Sequence, residues 1–119
     1  MISQTVRVAA KADENPVVGT VVLAFTADPM ARWTWPHPHQ YLSALPRMVR
    51  ALGGLAFSHG SAFCTEEYAG AALWLPPGVH PDIKELDAVI ESTVASSLAS
   101  ETAAVFEQMA KYHPTEPHW

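Results

Sequence analysis

Apolar residues recur at two spacings in the first half of the chain, and each spacing predicts a kind of element. Thr5 to Ala10 alternates valine with arginine, which is typical of a strand with one face in water. Asn15 and Pro16 form a helix start signal, and the valines of the next turns share one helical face. We expect a short helix here, although this β-branched run is also compatible with a strand.

A second helix is predicted from Gln40 to Phe57, where apolar residues recur at helical spacing. Pro46 lies inside this pattern, so it either kinks the helix or marks the end of a separate first turn. Arg47 and Arg50 lie off the apolar stripe, and we expect them to face water.

The stretch between these helices, Asp28 to His39, is predicted to be a connector. It contains three prolines, two tryptophans and two histidines. Aromatic residues in a loop commonly tuck against the core as a lid, which is one interpretation. The other is that Trp33 and Trp35 line an acceptor pocket in which Asp28 and Arg32 fix a polar group of a ligand. The histidine pair has no further ligand near it in sequence, so we expect no metal there.

Two short strands are predicted in the middle of the chain. Ala62 to Thr65 is apolar and follows a turn. Tyr68 to Gly78 is uncharged and ends at Pro-Pro-Gly, so we expect a strand buried on both faces. Because few residues join the two strands, they should form an antiparallel hairpin. The small residues Gly70 to Ala72 leave room for another backbone or a ligand.

The last third of the chain is predicted to be helical. From Ile83 to Tyr112, apolar residues recur close to the helical period. This pattern indicates one long amphipathic helix or, because the stripe is interrupted near Ser100, two consecutive helices with a bend.

Composition narrows the class of protein. With 119 residues, the chain fits one domain, residues 1–119. Its 7 basic and 12 acidic residues give a net charge of −5, which disfavours nucleic acid as a partner. The single cysteine, Cys64, cannot form an internal disulfide, and we interpret it as a buried structural residue. We find no signal-peptide pattern and no apolar run of membrane length, so we expect a cytoplasmic protein without membrane contact.

Taken in order, these parts resemble the GCN5-related N-acetyltransferases. The resemblance covers nearly the whole chain and is sharpest at Asp28 to Pro36, at Ala71 to Gly78 and at the closing His113 to Trp119. It implies an α+β fold, a partial β-α-α-β-β-α unit whose small antiparallel sheet packs against helices. It also implies that residues 1–119 correspond to the N-terminal, acceptor-side half of such an enzyme. The acceptor pocket would be lined by Asp28, Arg32, Trp33, Trp35 and Trp74.

The acyl-CoA side of the family has no counterpart in this sequence. In such enzymes the closing segment leads into the strand that carries the acyl-CoA chemistry, and a Gln/Arg-x-x-Gly-x-Gly/Ala loop follows. This sequence contains no such run, and a pyrophosphate needs the converging backbone donors that the loop supplies. We therefore assign no catalytic residue and expect no cofactor site in this chain alone. Three explanations stay open: the coding sequence was truncated, the fold has been reused, or a partner chain completes it. Acetyl-CoA would bind only if a partner chain supplied the other half.

The missing half has a consequence for assembly. In the family's sheet, the strand at Tyr68 to Leu75 would lie between the strand at Ala62 to Thr65 and a strand that this chain lacks. An apolar edge would then be exposed, and such edges tend to pair with other chains. We expect a homodimer through this edge or through the last helix.

Three functions remain as hypotheses. The first is an N-acetyltransferase-like protein that acts only when the acyl-CoA site is supplied. The second is a non-catalytic module that binds a small molecule, for which the tryptophans and the net negative charge suggest an amine or an apolar cation. The third is a self-assembling protein in which the strand edge serves only assembly.

Overall fold

One three-stranded sheet and five α-helices make up the computed structural model, which describes residues 5–119. The α+β prediction is confirmed. In chain order the elements are β1 (Val6–Val8), α1 (Glu14–Ala24), α2 (Pro29–Thr34), α3 (Pro38–Gly53), β2 (Ala62–Thr65), β3 (Ala71–Leu73), α4 (Ile83–Thr93) and α5 (Ala99–Lys111).

The sheet has the strand order β1-β2-β3, and both pairs are antiparallel. Phe63 in the centre lies opposite Val8 on one side and Ala72 on the other. The predicted hairpin is confirmed, and β2 has the predicted bounds. β3 therefore forms one edge of the sheet among the residues described.

The strand expected from Tyr68 to Gly78 is wrong in length and in burial. β3 has three residues, all half-buried, and Trp74 directly after it is 50% exposed. The late start has a backbone cause. Glu67 and Tyr68 adopt the left-handed conformation, with φ of 59° and 56°, so the chain turns before it can pair with β2.

The connector expected at Asp28 to His39 is also wrong, because its first half forms α2. Asp28 precedes the helix and its carboxylate accepts a hydrogen bond from the Ala31 N–H at 2.8 Å. Pro29 occupies the first helical position, where a missing N–H costs nothing. A similar Asx-Pro signal at Asn15 and Pro16 predicted a helix at α1, but the predicted start is wrong. α1 follows Asp13 and begins at Glu14, so Asn15 and Pro16 lie inside the helix.

α3 continues through Pro46 as a single helix, so no separate first turn ends there. Its two arginines do not simply face water. Arg47 forms an ion pair with Glu85 of α4 at 3.1 Å, and Arg50 forms one with Glu14 of α1 at 3.3 Å. Both pairs are partly exposed, so each contributes little stability. Their effect is to tie α3 to its two helical neighbours.

The last helical region consists of two helices, which was the second of the two predicted forms. α4 begins after Asp82, whose carboxylate accepts the Glu85 N–H at 3.1 Å. It ends where Val94 adopts an extended conformation, and α5 starts at Ala99. α4 packs against α3 through the fully buried Val89.

Alternation along the strands gives the sheet two different faces. The inner face, with Ala9, Ala62 and Cys64, is buried against helix α1 and the segment after α3. The opposite side chains belong to neither of the two core clusters found among residues 5–119. We call this set the outer face, and its members are Val6, Val8, Phe63, Thr65, Ala72 and Trp74. Val6 and Val8 are more than half exposed, so an apolar sheet face lies open.

Candidate functional site

Four of the five predicted acceptor-site residues lie on or beside α2. Most of their polar groups are engaged within the protein, whereas the buried Nε of Arg32 has no hydrogen-bond partner among residues 5–119. The Asp28 carboxylate caps the helix, as described above. The Arg32 guanidinium donates to the carbonyl oxygens of Thr26 at 3.3 Å and Pro36 at 2.9 Å. It also lies over the Tyr41 ring, 5.2 Å from the ring centre. These contacts hold the segment around α2 in place.

The two tryptophans of this segment differ in burial. Trp35 is 3% exposed and packs in the core formed by α1, α3 and α4. Its indole Nε1–H donates to the Thr93 hydroxyl at 2.9 Å, which joins the end of α2 to the end of α4. Trp33 is 36% exposed. The lid interpretation therefore fits Trp35, and Trp33 is the ring that a ligand could reach.

Trp74, the fifth predicted residue, lies apart from the other four. It lines a cavity of about 720 Å³ with the segment that follows it and with the closing His113 to Trp119. None of the α2 residues lines this cavity. The Trp74 carbonyl accepts a hydrogen bond from the Ser61 hydroxyl at 2.6 Å, which fixes the backbone where β3 ends. The structure thus does not bring the five residues into one pocket.

An apolar groove that the predicted site did not include runs between α1, α3 and β3. It has a volume of about 380 Å³. We call it the β3 groove, and it is lined by Val21, Phe25, Leu45, Met48, Val49, Leu52, Gly53, Ala71, Ala72 and Leu73. The small residues of β3 were the signal in the sequence, since they were expected to leave room beside this strand.

A cluster of charged and polar side chains joins β1, α1 and the turn before β3. Arg7 donates to both carboxylate oxygens of Asp13, at 2.8 and 2.9 Å. The Tyr68 hydroxyl donates to the same carboxylate at 2.6 Å, and the Ala10 N–H donates to it at 2.7 Å. We call these residues the Asp13 network. Sequence reasoning missed this network, because Tyr68 is far from Asp13 along the chain.

The network shifts the pKa values of Asp13 and Tyr68. Hydrogen bonds from Arg7 above all, then from Tyr68 and the Ala10 N–H, hold the pKa of Asp13 well below its usual range. Donation to the Asp13 carboxylate raises the pKa of Tyr68. Both carboxylate oxygens of Asp13 and the Tyr68 hydroxyl have hydrogen-bond partners within the protein, which indicates a structural role. The network and the bond from Thr20 to the Tyr68 carbonyl, at 2.7 Å, fix the left-handed turn.

Cys64 and the pair His113 and His118 lie in separate parts of the structure. No group of three or more His, Cys, Asp or Glu is placed to hold a metal ion among these residues. Cys64 is 1% exposed, so its thiol faces the core. His113 and His118 approach each other, with 3.1 Å between their Nε2 atoms, on the exposed closing segment.

Comparisons with known proteins found no matching family model, curated protein or solved structure. Along residues 5–119, the helices fall short of the length and apolar character needed to cross a membrane. The fold and the site define an α+β domain with an apolar groove beside a free strand edge and an uncovered outer face.

Proposed function

We propose that the chain is the acceptor-side unit of a GCN5-related N-acetyltransferase-like fold and does not catalyse acyl transfer by itself. The observation that carries the proposal is the sheet order β1-β2-β3, with β3 at the edge where the resemblance puts a further strand. A cytoplasmic location is part of the proposal, because the lone cysteine provides no internal disulfide.

The closing segment supports this proposal. In the family that the sequence resembles, the His-Pro-x-x-Pro-His-Trp segment leads into the strand that carries the acyl-CoA chemistry. Here His113 to Trp119 lines a cavity together with Leu73, Trp74 and Leu75 at the end of β3. The segment is thus located beside the strand with which the acyl-CoA side would have to pair.

The acceptor side of the proposal involves the accessible aromatic rings. Trp33 and Trp74 are both exposed, and the chain carries a net charge of −5, so a cationic amine is the acceptor class that fits best. Because the two rings lie in different places, we assign the reachable part of the α2 segment, around Trp33, to the acceptor. Trp35 holds this segment against the core through the hydrogen bond from its indole N–H to the Thr93 hydroxyl.

Isothermal titration of the chain with acetyl-CoA tests the proposal. We expect no saturable heat up to millimolar ligand, because the sequence has no glycine-rich loop to bind the pyrophosphate. A dissociation constant in the micromolar range would contradict it. A parallel titration with an aliphatic amine serves as comparison. Saturable heat from the amine that is lost in Trp33→Ala would support an acceptor site there, and heat that survives this substitution would remove Trp33 from it.

A further inference from the structure

We propose that two copies of the chain pair through the free edge of β3, antiparallel, with a two-fold axis at Ala72. This inference does not depend on the acetyltransferase proposal. It follows from the hydrogen-bond pattern of the edge, from the groove beside it and from the distribution of charge.

The hydrogen bonds between β2 and β3 show which backbone groups of β3 are free to pair. The Trp74 N–H donates to the Ser61 carbonyl at 3.1 Å, and the Thr65 N–H donates to the Gly70 carbonyl at 3.0 Å. Hydrogen-bonded pairs alternate in an antiparallel ladder, so Ala72, midway between these pairs, also directs its N–H and C=O towards β2. The N–H and C=O groups of Ala71 and Leu73 therefore point to the open side.

This pattern is self-complementary. When Ala72 of one copy lies opposite Ala72 of the other, Ala71 of each copy lies opposite Leu73 of its partner. In an antiparallel ladder, two opposite residues exchange two hydrogen bonds when the N–H and C=O groups of each point towards the other strand. The two symmetric pairs thus form four hydrogen bonds about the axis. The Ala72 pair itself is the close, non-hydrogen-bonded kind, and two methyl groups fit that spacing.

The side chains of the paired edge also fit. Leu73 alternates with Ala72, so it lies on the inner side of the sheet, where it contacts both core clusters. In the paired arrangement, Leu73 of the second copy lies opposite Ala71 and over the β3 groove. Ala71 leaves space for it, and the apolar lining contributed by Phe25 and Leu52 removes part of it from water.

The edge of β3 carries no charge that would repel a second copy. Each chain carries a net charge of −5, so two copies repel each other over most of their surface. The stretch from Tyr68 to Gly78 contains no charged residue, and pairing there brings no like charges into contact. Natural edge strands are commonly protected by charged side chains, by proline or by being very short. Ala71–Leu73 has neither a charged side chain nor a proline, and its length of three residues is the protection that it does have. Because the strand is short, the contact is weak, and we expect a dimer dissociation constant of tens of micromolar.

Sedimentation equilibrium of matched leucine variants tests the interface. Leu52 and Leu42 both lie on α3 and are both exposed, at 43% and 62%, but only Leu52 lines the β3 groove. We expect Leu52→Glu to raise the dimer dissociation constant at least about tenfold, because it places an unpaired carboxylate against Leu73 of the second copy. Leu42→Glu should leave it unchanged. A wild-type chain that stays monomeric at several hundred micromolar overturns the proposal.

Disulfide trapping tests the register. Ala72→Cys should form an intermolecular disulfide under mild oxidation, because the Ala72 pair has the close Cα spacing that a disulfide needs. Val8→Cys should not, because Val8 lies two strands away from the edge. The native Cys64 is buried and does not compete. Cross-linking of Val8→Cys without that of Ala72→Cys would assign the dimer to the outer face, and a dimer lost only in Met109→Glu would assign it to α5. Either result overturns pairing through β3.

Discussion

Replacing Trp35 with alanine should lower the free energy of unfolding by about 3–5 kcal/mol, the cost typical of a buried tryptophan. The ring is 3% exposed and contacts the core between α3 and α4, so its removal leaves a cavity that helices on three sides must close. A domain of this size has a total stability of about 5–15 kcal/mol. The loss is therefore a large fraction of it, and Tm should fall by at least about 10 °C. Urea unfolding followed by circular dichroism measures the free energy of unfolding, and a thermal scan with the same signal measures Tm.

Two further variants separate the contributions to this effect. Thr93→Val keeps the shape of the side chain but leaves the indole N–H of Trp35 without its acceptor, which should cost about 1–3 kcal/mol. Trp33→Ala removes an equally large ring from the same segment but an exposed one, and should cost about 1 kcal/mol or less. If Trp33→Ala were as damaging as Trp35→Ala, the outer ring would be a core residue and could not serve a ligand. An unchanged stability of Thr93→Val would mean that the hydrogen bond does not contribute in solution.

Local patterns predicted the parts of the fold that depend on near neighbours. The period of the apolar residues indicated α1, α3 and the helical last third, and the short connection between Thr65 and β3 indicated a hairpin. β2 was predicted within its observed bounds because its apolar run is enclosed by turn residues. Where two forms of an element were left open, at Pro46 and near Ser100, tertiary packing decided between them.

The errors have two physical causes, a local helix start signal that was overlooked and contacts that are distant in sequence. The segment from Asp28 onwards was interpreted as a loop because of its proline and aromatic content, although Asp28 and Pro29 form a helix start signal. Tyr68 looked like a strand residue because it is aromatic and uncharged. In the fold its hydroxyl is held by Asp13 and its carbonyl by Thr20, and these bonds fix a turn instead.

The candidate site could be predicted only in part for the same reason. The α2 residues lie together because they are close in sequence. Trp74 joins a different cavity, since β3 places it beside the closing segment. The β3 groove forms only where α1, α3 and β3 meet in the fold. In the sequence, the small side chains of β3 were the only indication of open space beside this strand. The resemblance to N-acetyltransferases implied two helices before β2 and one after β3, whereas the structure has three and two. It also could not show which side chains are already engaged in holding α2.

Among residues 5–119, the outer face packs in neither core cluster and the outer edge of β3 pairs with no further strand. Apolar sheet faces are stable when a second layer covers them, and Val6, Val8 and Trp74 are all at least half exposed. Pairing of two copies through β3 would place both outer faces on the same side of one continuous sheet. The dimer would thus present a larger apolar surface rather than hide it, so pairing at the edge leaves room for another component on this face.

Replacing Asp13 with asparagine should destabilise the protein at neutral pH, and the difference from the wild type should shrink in acid. An asparagine cannot accept the two bonds from Arg7 as a carboxylate does, and its amide group competes with the Tyr68 hydroxyl. The turn at Glu67 and Tyr68 loses one of the contacts that keep its strained backbone in place. The free energy of unfolding, measured in urea from neutral pH down to about pH 3, reports the effect.

The direction of the pH dependence follows from the lowered pKa of Asp13. In the unfolded chain this carboxylate titrates near the ordinary value of about 3.9, and in the folded protein it stays ionised to lower pH. Its stabilising contribution is therefore complete above the unfolded value and is lost as the pH falls through the folded one. The wild type should lose stability steeply below about pH 4, while Asp13→Asn loses less over the same range. Glu107→Gln, at an exposed carboxylate on α5, is the matched control and should follow the wild type. Parallel curves for wild type and Asp13→Asn would show that the network does not hold the carboxylate ionised, and the turn before β3 would then depend on the Thr20 bond alone.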